Sequence, residues 1–414
     1  MRPSDQSSTS LSSLARTDDH GMQMRIIEPT SHKSQPAFSA EEYADRLQKL
    51  NLLLNDKRID LYIASAPESL NYFTGFDPLG LYLYQHAFYK ADSREPTLLT
   101  HKAEKELARV QCWISDVMIW QHGDDPVEMT IRQLRRMGVK QRVRVGVELG
   151  NWYLKASTFQ ALTEAFPGVH FVDVTEGVLK LRAVKSFQEI EYMREAARFS
   201  DVGFQAVVDS LKPGARENDI LAAVQSSMAK AGSEYPTLPF IIASGPRAGH
   251  FHAVPTSRVV ELNDPVSAEV TGSWKRYNSN ICRTLVAGRA SAEMLELWKI
   301  VNEAFWRPFE LIRPGAAVAD VDHLSRKIRA AYQNFIPARA GFGMGLAYPP
   351  TFAALPNILM DSEEILEAGM IFSLEPSIAQ YNGLTISIGY NILVTSSGAE
   401  ILQKTSNNIF EVPA

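Results

Sequence analysis

A chain of 414 residues is too long for one ordinary hydrophobic core and suits two domains, one of them large. Its hydrophobic fraction of 45% and charged fraction of 21% are those of a soluble globular protein, and a formal charge of −5 gives no electrostatic case for nucleic acid or an anionic membrane. The two cysteines, Cys112 and Cys282, lie far apart and build neither a disulfide framework nor a cysteine-based zinc site, so a reducing, cytoplasmic compartment is expected.

Residues 1–37 are rich in Ser, Thr, Gln and Asp and lack the apolar stretch of a secretory signal; no later run approaches the length of a membrane span. With too little apolar surface to offset the entropy of ordering, this segment reads as a disordered tail. A helix start follows at Phe38-Ser39-Ala40-Glu41-Glu42, where Ser39 can cap and Glu42 stands three residues on, as in a capping box. Leu47, Leu50 and Leu54 continue its apolar face. Ile59-Asp60-Leu61-Tyr62-Ile63-Ala64 reads as a strand ending at the turn-rich Ser65-Ala66-Pro67. Asn71-Tyr72-Phe73-Thr74-Gly75-Phe76 and Leu81-Tyr82-Leu83-Tyr84-Gln85 come next. Further strand-like runs, such as Val143-Arg144-Val145-Gly146-Val147-Glu148, alternate with helical ones up to about Leu181. The alternation predicts a compact α/β domain over 38–181.

A second domain, 182–414, opens on a long amphipathic helix capped by Ser186, with Glu189 three residues later. It carries an internal repeat. Leu211-Lys212-Pro213-Gly214-Ala215 leads to Asp219-Ile220, and Ile312-Arg313-Pro314-Gly315-Ala316 leads to Asp320-Val321. In both copies a helix should stop before Pro-Gly, turn, and restart near the Asp. The repeat predicts two similar α+β halves with a pocket where they meet.

Six segments in order carry a resemblance. They are Val184-Lys185-Ser186 with Glu189-Ile190 and Met193-Arg194; the two Pro-Gly repeats; Phe240-Ile241-Ile242-Ala243-Ser244-Gly245; Ser279-Asn280-Ile281-Cys282-Arg283-Thr284; Gly341-Phe342-Gly343-Met344-Gly345-Leu346; and Ala368-Gly369-Met370-Ile371-Phe372-Ser373-Leu374-Glu375-Pro376. Nearly all of 184–402 resembles the creatinase/aminopeptidase P, or pita-bread, family, and the first domain is similar to that family's smaller partner domain. The resemblance implies an α/β (α+β) fold: a creatinase-type N-terminal domain before a pita-bread domain of two pseudo-symmetric halves.

Peptidase members of the family hold two divalent cations with two Asp, one His and two Glu, because such cations need several anionic oxygens around them. Carried across, the five positions are Glu269, Asn280, Phe342, Glu375 and Gly389. Three have lost their donor or its charge, so the expectation is no metal and no other cofactor. Gly249-His250-Phe251-His252-Ala253-Val254-Pro255 resembles the stretch that carries the catalytic histidine of metal-free creatinase, with His252 in the matching place. Cys282 stands where creatinase has an acidic residue that helps to bind guanidinium. A closer likeness is to ectoine hydrolases, which open a cyclic amidine, through Glu269-Val270-Thr271-Gly272-Ser273-Trp274 and Gly345-Leu346-Ala347-Tyr348-Pro349-Pro350, although the run Thr351-Phe352-Ala353 departs from them.

What the resemblance implies is a C–N hydrolase acting on a small amidine- or guanidine-containing zwitterion. His252 is the candidate general acid/base, since an unperturbed imidazole titrates near neutrality. Glu269, in the apolar strand 265–270, is candidate nucleophile or base for water. Glu375 is assigned to the substrate cation, and Arg283 or Lys275 to its carboxylate. Tyr348 and the small-domain residues Tyr82, Tyr84 and Gln85 complete the candidates, the last three at a pocket that creatinase-like enzymes often share with a partner subunit. A homodimer is therefore expected, with no nucleic-acid or membrane partner. The alternatives are an Xaa-Pro peptidase with a degenerate site and a catalytically dead binding module.

Overall fold

The computed structural model describes residues 36–413, so the tail expected over 1–37 lies almost wholly outside the described residues. Ser39 caps the first helix, α1 (Ala40–Asp56), through its hydroxyl. After β1 (Leu61–Ala64), residues 71–74 belong to a helix, α2 (Pro67–Thr74), started by proline at its first position and ended by Gly75 at φ +80°. The run 81–85 is turn and loop leading into β2 (His86–Lys90). There follow β3 (Thr97–His101), α3 (Lys105–Gln111), β4 (Val117–Trp120), α4 (Pro126–Arg136), β5 (Arg144–Val147), α5 (Ala156–Ala165), β6 (His170–Asp173) and α6 (Thr175–Ala183). The sheet order is β4-β3-β2-β1-β5-β6, with β2 antiparallel to both neighbours.

The second domain starts with α7 (Phe187–Ser210), closed by a complete Ser186/Glu189 capping box. It continues through α8 (Glu217–Ala231), β7 (Ile241–Ser244), β8 (Pro265–Trp274), β9 (Tyr277–Val286), α9 (Ala292–Phe309) and α10 (Val318–Ile328). Next come β10 (Gly341–Gly343), β11 (Ala354–Ile358), β12 (Ile371–Leu374), β13 (Ser377–Tyr381), β14 (Leu384–Val394), β15 (Ala399–Ile401) and β16 (Phe410–Glu411). The strands form one sheet along the path β11-β10-β12-β14-β9-β8-β7.

The Pro-Gly repeat is reproduced bond by bond. Gly214 and Gly315 both adopt left-handed φ, +90° and +84°, and each donates its N–H to a distant carbonyl, Val260 and Leu366 respectively, at 2.8 Å. The following alanines, Ala215 and Ala316, accept in return from those same residues. Helix pair α7–α8 backs the first half of the sheet and α9–α10 the second.

The two domains share one apolar core that joins Leu50, Tyr72 and Phe73 to Met193, Tyr277 and Leu346. Arg46 of α1 is buried there between the rings of Phe38 and Tyr72, 3.9 and 4.1 Å from their centroids, with Glu189 of α7 3.8 Å away. A buried guanidinium is tolerable only with such partners.

Candidate active site

Strand alternation decides what the sheet presents to its open face. Glu269 is opposite Cys282 and Thr271 opposite Asn280 across β8 and β9, so these four side chains share a face. Gly389 of β14 lies opposite Cys282, while Phe342 of β10 faces Ser373 of β12, which faces Asn391. Glu375 follows directly after β12. Glu269, Asn280, Phe342, Glu375 and Gly389 thus meet at the join of the two halves. A cavity of 540 Å³ opens over them, walled by apolar groups such as Leu238, Phe251 and Phe352 and carrying His252 and Arg339 at its sides.

The floor is organised by an amide. Asn280 Nδ2 donates to Glu269 Oε1 at 2.9 Å and to Glu375 Oε1 at 2.6 Å. Its own Oδ1 accepts from Asn391 Nδ2 at 2.9 Å, which fixes which end of the amide faces the carboxyls. Asn391 is held in turn by Gln403, whose Oε1 accepts from the Asn391 N–H at 2.9 Å and whose Nε2 donates to the Asn280 carbonyl at 2.9 Å. Ser373 Oγ adds a 2.6 Å bond to Glu375. Burial, followed by the charge of Glu375, pushes Glu269 up to about 8, against the opposing pull of Asn280. Burial raises Glu375 as well. Burial thus favours the protonated form at both carboxyls, and the charge of Glu375 adds to this at Glu269.

The same floor does not fit a metal pair. Asn280 presents N–H groups, not lone pairs, to the space between the carboxyls, and Phe342 brings a ring stacked on Phe352 at 5.7 Å. A Cβ at Gly389 would stand 2.8 Å from Cys282 Cβ and 3.0 Å from Glu375 Cγ, so no longer side chain has room there. Two carboxylates do not neutralise two dications. Among the described residues no group of three or more His, Cys, Asp or Glu is placed to hold a metal ion.

His252 reaches the cavity from the loop after β7 and makes no hydrogen bond to the described residues; its ring is exposed. The loop itself is clamped. The fully buried carboxylate of Glu217, at the start of α8, accepts from Ser244 N and Oγ through one oxygen, at 2.8 and 2.9 Å. Its other oxygen accepts from Thr256 N and Oγ1, at 2.9 and 2.8 Å, and pairs with Arg247. One side chain thereby ties both ends of the segment that carries His252. His250 is exposed at the turn before it and does not line the cavity.

Other expected site residues lie elsewhere. Arg283 pairs with Ala268 and so points to the opposite face of β9, buried with its guanidinium 3.8 Å above the Tyr390 ring and donating to the carbonyls of Cys282 and Gly389. Lys275 is exposed in the β8–β9 turn over Trp274. Neither reaches the cavity. Tyr348 is buried at the domain junction, its hydroxyl donating to Asp77 at 2.6 Å and accepting from Asn71 at 2.9 Å. It therefore sets the position of the neighbouring Pro349-Pro350 wall. Tyr82, Tyr84 and Gln85 line a separate cavity of 490 Å³ with Trp152 and Tyr153. Tyr82 is 84% exposed, whereas Tyr84 bonds Thr130 and Gln85 bonds Gly80 and Thr100. Sequence reasoning missed Arg339, Glu217, Asn391 and Gln403, each of which has a partner well separated from it in sequence.

Two family models match the chain: the creatinase/prolidase N-terminal domain over residues 46–184, and metallopeptidase family M24 over 191–396. An ectoine hydrolase from Halomonas elongata is 28% identical over 90% of this chain and 98% of its own. An Xaa-Pro dipeptidase from Pyrococcus furiosus is 27% identical over 88% and 99%. The solved structure of prolidase from Pyrococcus furiosus superposes with a TM-score of 0.75 at 27% identity, covering 86% of this chain and 99% of that one. With both domain models matched in order and the sheet, the repeat and the site built as described, the chain belongs to the creatinase/aminopeptidase P family and is a hydrolase of the M24 pita-bread fold.

Proposed function

We propose that this hydrolase works without a metal and cleaves a C–N bond in a small zwitterion bearing an amidine or guanidine, as an ectoine hydrolase or creatinase does. One observation carries the reading: a pair of desolvated carboxyls stands where the peptidases need metal ligands, bridged by an amide that offers only N–H groups. A planar cation sits well against such a pair, and its charge favours loss of the Glu269 proton, which readies Glu269 as a base or nucleophile. In the nucleophilic version, a Glu269 oxygen bonds the amidinium carbon. The C–N bond then breaks as His252 delivers a proton to the leaving nitrogen, and water attacks the Glu269-bound imidoyl carbon, freeing the Glu269 carboxylate and an amide or urea. In the base version Glu269 takes a proton from water as its oxygen bonds the same carbon, and the C–N bond breaks as His252 protonates the leaving nitrogen. Mass spectrometry of protein trapped with ectoine or creatine separates the two: an adduct on the Glu269 peptide, absent in Glu269→Gln, supports the nucleophile. Wild-type turnover by both Glu269→Gln and His252→Ala would sink the assignment.

The second reading, an Xaa-Pro peptidase, is favoured by the near-equal likeness to the Pyrococcus furiosus enzyme. Hydrolysis of an Xaa-Pro dipeptide that needs added Mn²⁺ or Co²⁺ would establish it and remove the first. We further place the protein in the cytoplasm as a homodimer in which Tyr82 reaches the partner's cavity; no helix among the described residues is long and apolar enough to cross a membrane. A monomer by light scattering at micromolar concentration, with full activity, would contradict the dimer.

A further inference from the structure

The cavity holds a cation that no expectation placed there. Arg339 lies in the loop before β10, half-buried on the cavity wall. Its guanidinium is seated rather than loose: Cζ is 4.5 Å from the Phe342 ring centroid, and Nη1 donates to Asn357 Oδ1 at 2.8 Å. Asn357 is the cross-strand neighbour of Phe342, so ring and amide together fix the plane of the fork. That is the one hydrogen bond Arg339 makes to the described residues; the Glu375 carboxyl acts on it electrostatically but makes no ion-pair contact with it. A five-donor group fixed in place, partly desolvated and left with donors to spare is a costly arrangement unless an anion completes it.

We propose that Arg339 binds the carboxylate of the substrate, and that Phe342 and Asn357 are its positioning residues. The inference rests on the reading of the substrate as a zwitterion and supplies the half which that reading left without a partner, since Arg283 and Lys275 do not reach the cavity. It also gives the Phe342 position a purpose of its own: the residue that stands where the peptidases have a metal-binding histidine is the platform for an anion anchor. The cavity then offers two polar groups, the carboxyl pair at the floor for the cationic carbon and the Arg339 fork at the wall for the carboxylate.

The test measures binding of matched pairs by calorimetry: ectoine against its decarboxylated ring analogue, and creatine against dimethylguanidine. Wild-type protein should prefer the carboxylated member of at least one pair by roughly 10- to 100-fold, the usual worth of a charge-assisted bond. Arg339→Gln should abolish the preference by weakening only the carboxylated member, and Arg339→Lys should keep part of it, the charge remaining but the fork being lost. Asn357→Ala, which unfastens the guanidinium without touching it, should narrow the preference several-fold, and it carries the test if Arg339→Gln does not fold. A preference undiminished in the folded variants overturns the anchor and leaves the cationic-substrate reading standing. Wild-type binding of neither member of either pair overturns that reading, and this inference with it.

Discussion

Gly389 on β14 and Cys282 on β9 approach so closely that a Cβ on the glycine would stand 2.8 Å from that of the cysteine. The space a carboxylate ligand would need is closed by the Cys282 and Glu375 side chains and not merely by a missing side chain. Gly389→Ala should therefore destabilise the protein by about 1–3 kcal/mol, the usual cost of overpacking. Adding Cys282→Gly should recover part of that loss, and urea unfolding of the four proteins in the cycle measures the coupling. Strictly additive effects would mean that the two strands part freely at this point.

Metal content is the second expected outcome. Protein prepared without added metal should carry no stoichiometric Mn, Zn, Fe or Co, and EDTA should leave ectoine or creatine turnover intact. Two metal equivalents per chain by elemental analysis would refute this.

Glu269 gives a prediction in pH. Its carboxyl is raised from 4.5 to about 8 in the fold, so in that window the folded protein binds a proton that the unfolded chain has released. Stability must then fall as pH rises through the window, and Glu375, shifted in the same direction, adds to the slope. Glu269→Gln stays neutral throughout, so its melting temperature relative to wild type should climb between about pH 5 and about pH 8. Its kcat should drop by roughly 10²–10⁴. In the wild type, kcat/KM should rise with pH toward about 8 as Glu269 loses its proton, and fall again at higher pH where His252 no longer carries the proton it delivers.

Glu217 tests the clamp on the histidine loop. Glu217→Ala strands several donors around a buried site and should cost about 3 kcal/mol. Glu217→Gln should be milder in stability yet still lower kcat about tenfold, because a displaced catalytic group loses its orientation. Hydrogen exchange at Ser244 and Thr256, both bonded to Glu217 through their amides, should quicken in both variants. His252→Ala, by contrast, removes an exposed side chain and should leave stability unchanged.

Local patterns were the legible part. The Ser186 cap and the two Pro-Gly turns are set by a few neighbouring residues, and the structure forms them where the sequence places them. The floor carboxyls were legible because a motif marks each. Arg283 went wrong through parity: counting in twos from Asn280 puts Cys282 on the site face and Arg283 on the other, a signal available without coordinates. Arg339 offered no such signal. It lies outside any strand, and its seat depends on Asn357 arriving from the next strand with a register shift between Phe342 and Gly343. Gln403 is likewise far in sequence from the Asn391 and Asn280 it supports.

The two halves of the large sheet are stitched along β9 and β14 by only two backbone register pairs, Arg283 with Ile388 and Cys282 with Gly389. Glu269 stands on one side of that seam and Glu375 on the other, with the Asn280 amide across it. The reacting groups therefore act as a gauge of how the halves are set. A rocking of one half against the other would stretch the amide bridge between the two carboxyls. In this molecule the alignment of the two halves sets the spacing of the floor carboxyls.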